Sequence, residues 1–437
     1  MVILVAGVSR AASAQGTDSG SAAWQSWVLG TQVNIVGQSL LSFRSPYAAP
    51  HSLDGAGDHA LSHAYGVYLG ARLARGLEVY LDFEMVRGQG VSNVTGLAGI
   101  TNGDVLRQGT VDLGQDPYIA RAYLRYTVPL AGAHWSLAER GPGQIPVERP
   151  DRRIEITAGK LALNDLMDLN RYAGSARGQF MNWGLWQNTA WDFAADTRGY
   201  TNGLALAWIE RRWALRLASF QMPTRANGNE FDGHLEDARG DQAELTLSPF
   251  EGGTIVRVLG FVNHARMGRY ATALGVAPGV MPDVVADDGP GRIKYGYGLN
   301  VEQPLADSGE TGLFLRLGWN DGQNESFAFT EVDRHASGGL QVAGNHWARS
   351  GDRLGVALLA HGLSDIHRRY LAAGGEGFLL GDGRLNYGYE TILELYYRWQ
   401  LGERAQISPD VQQVWNPGYN RDRGPATVLG LRVNLRY

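Results

Sequence analysis

The sequence ends in the stretch ATVLGLRVNLRY (residues 426–437), in which apolar and polar side chains alternate. Side chains of a β-strand point to opposite faces with a period of two, so this stretch has one apolar and one polar face. The apolar face comprises Leu429, Leu431, Val433, Leu435 and Tyr437, and the polar face comprises Gly430, Arg432, Asn434 and Arg436. This pattern is typical of a strand in an outer-membrane β-barrel, and a soluble edge strand is the alternative.

The composition agrees with a barrel. The 437 residues include 59 glycines, 19 tyrosines, 12 tryptophans and no cysteine, and no apolar run approaches the roughly 20 residues of a transmembrane helix. A sheet in hydrocarbon must close on itself, because open edges leave backbone groups unpaired. The net charge of −5, without a basic cluster, does not indicate nucleic-acid binding. The lack of cysteine excludes a disulfide scaffold and thiolate metal sites.

The beginning of the chain indicates export. Residues 1–8 are an apolar run, and Ala12-Ser13-Ala14 is a small-x-small cleavage pattern. We therefore expect residues 1–14 to be a signal peptide, truncated at its start because the basic n-region is missing; a disordered tail is the alternative. We expect residues 15–24 to be a flexible lead-in and residues 25–437 to form a single transmembrane β-barrel domain.

Alternation recurs along the chain and predicts an all-β, antiparallel barrel of about sixteen strands, an even number as usual for such barrels. The predicted strands are 27–40, 60–74, 77–87, 118–130, 153–161, 199–210, 212–223, 241–250, 253–268, 291–305, 311–321, 335–347, 353–366, 388–402, 405–415 and 426–437. Alternation is weakest in 253–268 and 335–347, and a count that differs by two is the alternative. Tight turns such as Arg211-Arg212, Glu251–Gly253 and Glu403-Arg404 are predicted to be periplasmic, and the longer Gly- and Asp-rich connections external.

Aromatic residues lie near the ends of several predicted strands. They are Trp27, Trp208, Trp213, Trp319, Tyr397 and Trp399. Aromatic girdles at the two membrane interfaces explain such positions, and stacking on sugars is the alternative for a few of them.

A connection of nearly forty residues follows the fifth predicted strand and would be the third external loop. It is rich in tryptophan and phenylalanine, which disfavours a loop surrounded by water. We expect it to fold into the lumen and narrow the pore to an eyelet. An outer lid or a trimer contact is the alternative.

This region also carries a family resemblance. Its motifs are Gly159-Lys160, Asn164-Asp165, Asp168, Asn170, QFMNW (179–183) and WDFAADTRGYTNG (191–203). Further motifs are FRSPY (43–47), GQGVS (88–92), GLAG (96–99), SPDVQ (408–412) and NPG (416–418). The chain resembles the carbohydrate-selective porins of Gram-negative outer membranes (OprB-like) over nearly all residues after 24, and more loosely between about 224 and 400. The resemblance implies a sixteen-stranded channel for sugars, with glucose as the familiar solute.

Facilitated diffusion is the expected mechanism. The residues predicted to line the pore constriction are Glu78, Asp82, Glu84, Arg121, Arg125, Glu155, Lys160, Asp165, Asp168, Asn170, Trp183 and Arg198. A mixture of donors and acceptors suits neutral polyols, provided that binding stays weak. Arg121 and Arg125 share a strand face and could oppose the acidic strip of the preceding strand; ion pairing that only stiffens the wall is the alternative.

Other functions find less support in the sequence. It contains no G-x-S-x-G, H-E-x-x-H, phosphate-loop or dinucleotide motif, so we predict no enzyme, cofactor or metal site. His51, His59 and His63 fit a solvated loop, although His361 or His264 leaves a barrel lipase or protease open. An amino-acid channel and a polysaccharide exporter are further alternatives. The expected partners are carbohydrate solutes, outer-membrane lipid and the barrel-assembly machinery through the strand ending at Tyr437, for a monomer or homotrimer in a Gram-negative outer membrane.

Overall fold

The computed structural model describes residues 26–105, 113–137, 143–249, 253–277, 279–328 and 331–437. The predicted signal peptide and lead-in lie outside these residues, as does most of the turn predicted at 251–253. Among the described residues, sixteen antiparallel strands form a closed barrel and two short strands form a separate sheet. The predicted closed sixteen-stranded barrel is therefore confirmed.

Neighbours in the barrel are neighbours in sequence, apart from the short sheet β5–β6 between β4 and β7 and the closure of β1 against β18. The strands are β1 (Trp27–Leu40), β2 (Asp58–Ala74), β3 (Leu77–Gly88), β4 (Tyr118–Pro129), β5 (Trp135–Leu137), β6 (Glu148–Pro150), β7 (Arg153–Leu161), β8 (Thr201–Ile209), β9 (Trp213–Gln221), β10 (Arg239–Leu247), β11 (Ile255–Met267), β12 (Gly289–Ala306), β13 (Thr311–Asn320), β14 (Arg334–Ala343), β15 (Arg353–Gly362), β16 (Glu390–Leu401), β17 (Ala405–Trp415) and β18 (Ala426–Arg436).

Closure of the barrel depends on the final strand. In the β1–β18 ladder Gln32 is opposite Arg436 and Leu40 is opposite Val428. Leu429, Leu431 and Leu435 are exposed on the outer face of β18. Arg432 and Asn434 are each 1% exposed inside. The two faces predicted for residues 426–437 are thus present, and the polar face lies inside the barrel.

The strand ends differ from the prediction by a few residues where a helix takes over. Strand β14 stops at Ala343 before a single 3₁₀ turn, and β15 stops at Gly362 before helix α3. Ser364 caps that helix by accepting a hydrogen bond from the backbone N–H of His367 at 3.2 Å, which favours helix over continued strand. The α-helices in the described ranges are α1 (Trp183–Trp186), α2 (Tyr270–Ala273) and α3 (Asp365–Ala372). None of the described helices has the length and apolar character needed to cross a membrane.

The two rims of the barrel differ. At one rim, here called the turn end, most connections are short, such as residues 75–76, 210–212 and 402–404. At the other rim, the loop end, the connections are long and include residues 162–200 between β7 and β8. One turn-end connection breaks the pattern, because residues 130–152 between β4 and β7 carry the sheet β5–β6.

Candidate functional site

Residues 162–200 between β7 and β8, here called the inner segment, are hydrogen-bonded to side chains of several barrel strands. Asp168 adopts a left-handed backbone conformation (φ 56°), and its carboxylate accepts hydrogen bonds from Asn300 at 2.6 Å and Arg316 at 3.1 Å. The backbone N–H of Asp168 donates to Glu244 at 2.7 Å. Strands β10, β12 and β13 thereby hold the beginning of the inner segment.

The middle of the inner segment is held by strands β16 and β18. Glu394 on β16 accepts from the backbone N–H groups of Met181 and Asn182 at 2.5 and 3.0 Å. Arg432 on β18 donates to the backbone carbonyls of Ala176 and Gln179 at 2.5 and 2.8 Å. Buried side chains of the barrel wall here satisfy the backbone of an irregular segment, as buried peptide groups require.

A cavity of 570 Å³ lies between the inner segment and strands β2, β3, β4 and β7, a volume within the range of small-molecule sites. Residues before β4, notably Asn102 and Asp104, also line it. Eight of the twelve predicted constriction residues line this cavity: Asp82, Glu84, Arg121, Arg125, Asp165, Asp168, Trp183 and Arg198.

Arg121 links the wall of the cavity to the inner segment. Its guanidinium makes two hydrogen bonds to the carboxylate of Asp165, at 2.6 and 2.8 Å, and it lies 3.4 Å from Asp82 on the neighbouring strand. The register of β4 shifts beside it, since Asp82 is opposite Arg121 but Phe83 is opposite Ile119. A β-bulge re-aims side chains in this way. The Asp165 side chain is 36% exposed and the Arg121 side chain 21%, so both remain open to the cavity.

A second group of charged residues is centred on Arg177, a residue that the sequence analysis did not predict. The Arg177 guanidinium contacts Asp104 at 2.7 Å, Glu84 at 3.1 Å and the Tyr68 hydroxyl at 2.8 Å. Burial works to lower the pKa of Arg177, but Asp104 and Glu84 hold that pKa well above its ordinary value. Burial raises the pKa of Asp104 in spite of Arg177. The Arg177 cation sits between these two carboxylates.

Aromatic rings complete the cavity lining. The Tyr200 hydroxyl donates to Glu84 at 2.6 Å, and the Arg198 guanidinium lies 4.5 Å from the centre of the Tyr118 ring. Trp183 and Trp186 meet edge to face with centroids 4.6 Å apart. Rings and charged groups therefore alternate around one space, an arrangement that can offer a polar solute both hydrogen bonds and flat apolar surfaces.

Comparison with known proteins identifies the family. The model of the carbohydrate-selective porin, OprB family, matches residues 64–437. The chain belongs to this family. A solved structure of Pseudomonas putida OprB at high pH is similar, with a TM-score of 0.69 and 14% sequence identity over 94% of each chain. The outer-membrane channel DcaP of Acinetobacter baumannii is also similar, with a TM-score of 0.52 and 10% identity over 94% of this chain and 97% of that chain. No curated protein matches the sequence.

At these identities the solved structures establish the fold alone, and the family identifies a carbohydrate-selective porin. Family and fold together point to a channel rather than an enzyme.

His361, the candidate for a hydrolytic site, is 0% exposed. Its ring forms a hydrogen bond of 2.9 Å with the hydroxyl of Thr189, a residue of the inner segment. His264 lies on β11 opposite Ile293. In the described part of the porin, no three His, Asp or Glu side chains are grouped to hold a metal ion.

Four predicted constriction residues of this porin do not line the cavity. Asn170 instead donates to Asn300 on β12 at 2.8 Å. Glu78 pairs with Arg125 and Arg149 at 3.6 and 2.9 Å, nearer the turn end. Glu155 pairs with Arg153 at 2.6 Å.

The prediction that Lys160 lines the pore constriction was wrong. It is opposite Asn202 in the ladder, whereas Ala158 on the same strand face is opposite Leu204, which is 53% exposed outside. Lys160 therefore faces outward. The physical reason is the two-residue period of strands: Glu155 and Lys160 are five positions apart and cannot share one face.

Proposed function

We propose that the chain is an outer-membrane channel for facilitated diffusion of carbohydrates, glucose-type monosaccharides and similar small polar solutes, in a Gram-negative bacterium. The observation that carries this proposal is the cavity of 570 Å³ in which Arg121 pairs with Asp165 between aromatic rings. The cavity lining carries positive and negative side chains that are paired with each other, so it favours neither small anions nor small cations strongly.

The chemistry of the lining suits a sugar. A monosaccharide presents hydroxyls that both donate and accept, and guanidinium and carboxylate groups on facing surfaces supply both partners. The partly exposed Arg121, Asp165 and Arg177 are the groups we expect to exchange their mutual hydrogen bonds for bonds to hydroxyls. A pyranose ring could stack on Trp186 or Tyr118, lining rings that are only partly buried. Such contacts are individually weak, as continued flux requires.

The proposal includes the path. The inner segment would lie within the lumen as the eyelet, and solute would pass between it and β2–β4. The loop end would face the cell exterior and the turn end, with both chain ends, the periplasm. Tyr437 and the strand before it would be the signal for the barrel-assembly machinery. The functional unit would be a monomer or homotrimer.

An amino-acid channel is the second candidate, favoured by one observation. Arg177 and Asp165, with side chains 20% and 36% exposed, both line the cavity. A carboxylate and an ammonium on one small solute could each meet an opposite charge there. A lipase-type or protease-type barrel has no such supporting observation.

Single-channel recording in planar bilayers tests the proposal. We expect glucose to reduce ion current in a concentration-dependent manner, and arginine and phosphate to do so much less. The variants Arg121→Ala and Asp165→Ala should weaken the glucose block, whereas Arg239→Ala, on the far side of the barrel near the loop end, should not. Block by arginine with no effect of glucose would favour the amino-acid channel. Block unchanged in both cavity variants would refute the assigned eyelet.

A further inference from the structure

The long turn-end connection returns into the barrel. Ile145 and Val147 are 0% and 2% exposed and form one apolar cluster with Val28 and Tyr80. A methyl group placed on Gly70 would come within 3.0 Å of both Ile145 Cγ1 and the Tyr80 ring. Because Tyr80 and Gly70 lie on the inner face of the wall, residues 143–150 fill interior space next to β1–β3.

Ion pairs fix this segment to the wall. Arg149 lies 2.9 Å from Glu78 on β3 and 3.8 Å from Glu155 on β7. The Tyr80 hydroxyl also donates to Glu78, at 2.7 Å. The segment is thus held by buried apolar contacts and by a cation set between two strands, so it is a built part of the interior and not a surface turn.

Its position relative to the cavity follows from the strand directions. Strand β2 runs from the loop end to the turn end, and β3 runs back. The segment packs against Gly70, Glu78 and Tyr80, one layer nearer the turn end than Tyr68, Asp82 and Glu84, which line the cavity. Gly143 and Gln144 line the cavity themselves. The segment therefore lies between the cavity and the turn end along β2 and β3.

We propose that residues 143–150, here called the exit plug, form a second, size-selecting constriction between the Arg121 cavity and the turn-end exit. This inference rests on the proposed channel function. The cavity with its paired charges recognises the hydroxyls of the solute, and the exit plug limits its cross-section, with Gln144 as the polar group at the plug surface. Selection by chemistry and selection by size thereby occupy successive layers of the same pore.

Removal of the exit plug is the first test. Pro129 and Arg153 are opposite each other in the ladder, and Leu130 N–H bonds Arg152 C=O at 3.0 Å. A two-residue Asn-Gly turn in place of residues 131–151 can therefore join the strands. We expect single-channel conductance to rise about twofold, larger oligosaccharides to permeate, and glucose block to persist. Unchanged conductance and an unchanged size limit in liposome swelling would overturn the proposal.

The second test uses full-length protein. The sequence has no cysteine, so Gln144→Cys provides a single thiol. Labelling it with methanethiosulfonates of increasing size should reduce conductance progressively. The matched control is Ser136→Cys, on the exposed strand β5 of the same connection, whose complete labelling should leave conductance unchanged. Equal conductance before and after complete labelling at position 144 would contradict the exit plug even if the deletion variant fails to fold.

The two proposals fail differently. If glucose never blocks the wild-type channel while plug removal still raises conductance, the solute assignment is wrong and the exit plug stands. If glucose blocks the wild-type channel and neither plug variant changes conductance, the channel function stands and the exit plug is wrong.

Discussion

The two sides of the barrel interior use the same residue types in different roles. On the packed side, formed by β10–β18, Arg316 is 0% exposed and bonds Asp168 and the carbonyl of Leu185, the latter at 2.8 Å. On the open side, formed by β2–β4 and β7, Arg121 bonds Asp165 at 2.6 Å while both remain accessible from the cavity. An arginine–aspartate pair therefore ties two segments together where it is buried, and it is the pair that we propose contacts solute where it is open to the cavity.

The difference has an energetic basis. A buried charge pair is costly to break, because the remaining partner is left without compensation in a medium of low dielectric constant. An exposed pair contributes little to stability, because water already solvates both ions. Exposed pairs can thus exchange partners with a passing solute, and buried pairs cannot.

The largest effect should follow from Arg316→Ala. It leaves Asp168 buried beside Asn300 without its cation, so we expect unfolding free energy to fall by about 3–5 kcal/mol. Denaturant unfolding of the detergent-folded barrel measures this, with Arg239→Ala, partnered by a 43% exposed Asp241, as the control. A loss in Arg316→Ala no greater than in the control would remove the distinction between the two sides.

A pH effect is expected at the loop end over the packed side. Burial raises the pKa of Glu325 to about 7, against a backbone N–H bond from Gly268. A carboxyl whose pKa rises on folding favours the folded state most below its ordinary pKa of 4.5, and that contribution declines as pH rises to about 7. The resulting decrease in the free energy of unfolding should be no more than about 3 kcal/mol.

Unfolding free energies at pH 5 and pH 8 check this expectation. Glu325→Gln keeps an acceptor for Gly268 and should remove most of the difference between the two pH values. The contribution of Asp333 to folding stability has the opposite pH dependence. Burial acts to raise the pKa of Asp333, but His367 at 3.0 Å lowers that pKa to about 2. The stability that Asp333 contributes is present above its ordinary pKa and is lost only in strong acid. It therefore does not change between pH 5 and pH 8. An equal pH difference in wild type and Glu325→Gln would exclude Glu325 as the cause.

On the open side, Arg177→Ala should change the ion selectivity of the channel. It removes the cation between Glu84 and Asp104 and leaves two carboxylates at the cavity. We expect the cation-to-anion permeability ratio to rise, as measured by reversal potentials in a salt gradient. Arg177→Lys, which keeps the charge, should stay near wild type. A ratio that shifts equally in both variants would mean that shape, and not charge, sets selectivity here.

Sequence alone predicted the barrel well, because alternation is a local property of each strand. The apolar and polar faces of residues 426–437 needed no knowledge of the rest of the chain. The same rule, applied to residues 155 and 160, also excludes Lys160 from the lumen. Asn170 was predicted as a solute contact, but its partner Asn300 lies more than a hundred residues away and local pattern gives no sign of it.

The missed residues have a similar explanation. Tyr68 lies on the polar face of its predicted strand and was identifiable from alternation. Arg177 and Asp104 lie in irregular connections, where no period fixes the direction of a side chain. The exit plug was hidden for the same reason: residues 130–152 resemble a loop, and only the burial of Ile145 and Val147 places part of them inside.

The smallest effect should follow from Arg125→Ala, at the boundary between the cavity and the exit plug. Arg125 lies 3.6 Å from Glu78, but Glu78 also has Arg149 at 2.9 Å and the Tyr80 hydroxyl at 2.7 Å. Since these partners still compensate the carboxylate, we expect unfolding free energy to fall by about 1 kcal/mol or less. The double variant with Arg149→Ala should lose more than the sum of the single variants, because Glu78 then lacks both cations. Additive losses in this double-mutant cycle would show that the two arginines act independently and do not share Glu78 as a partner.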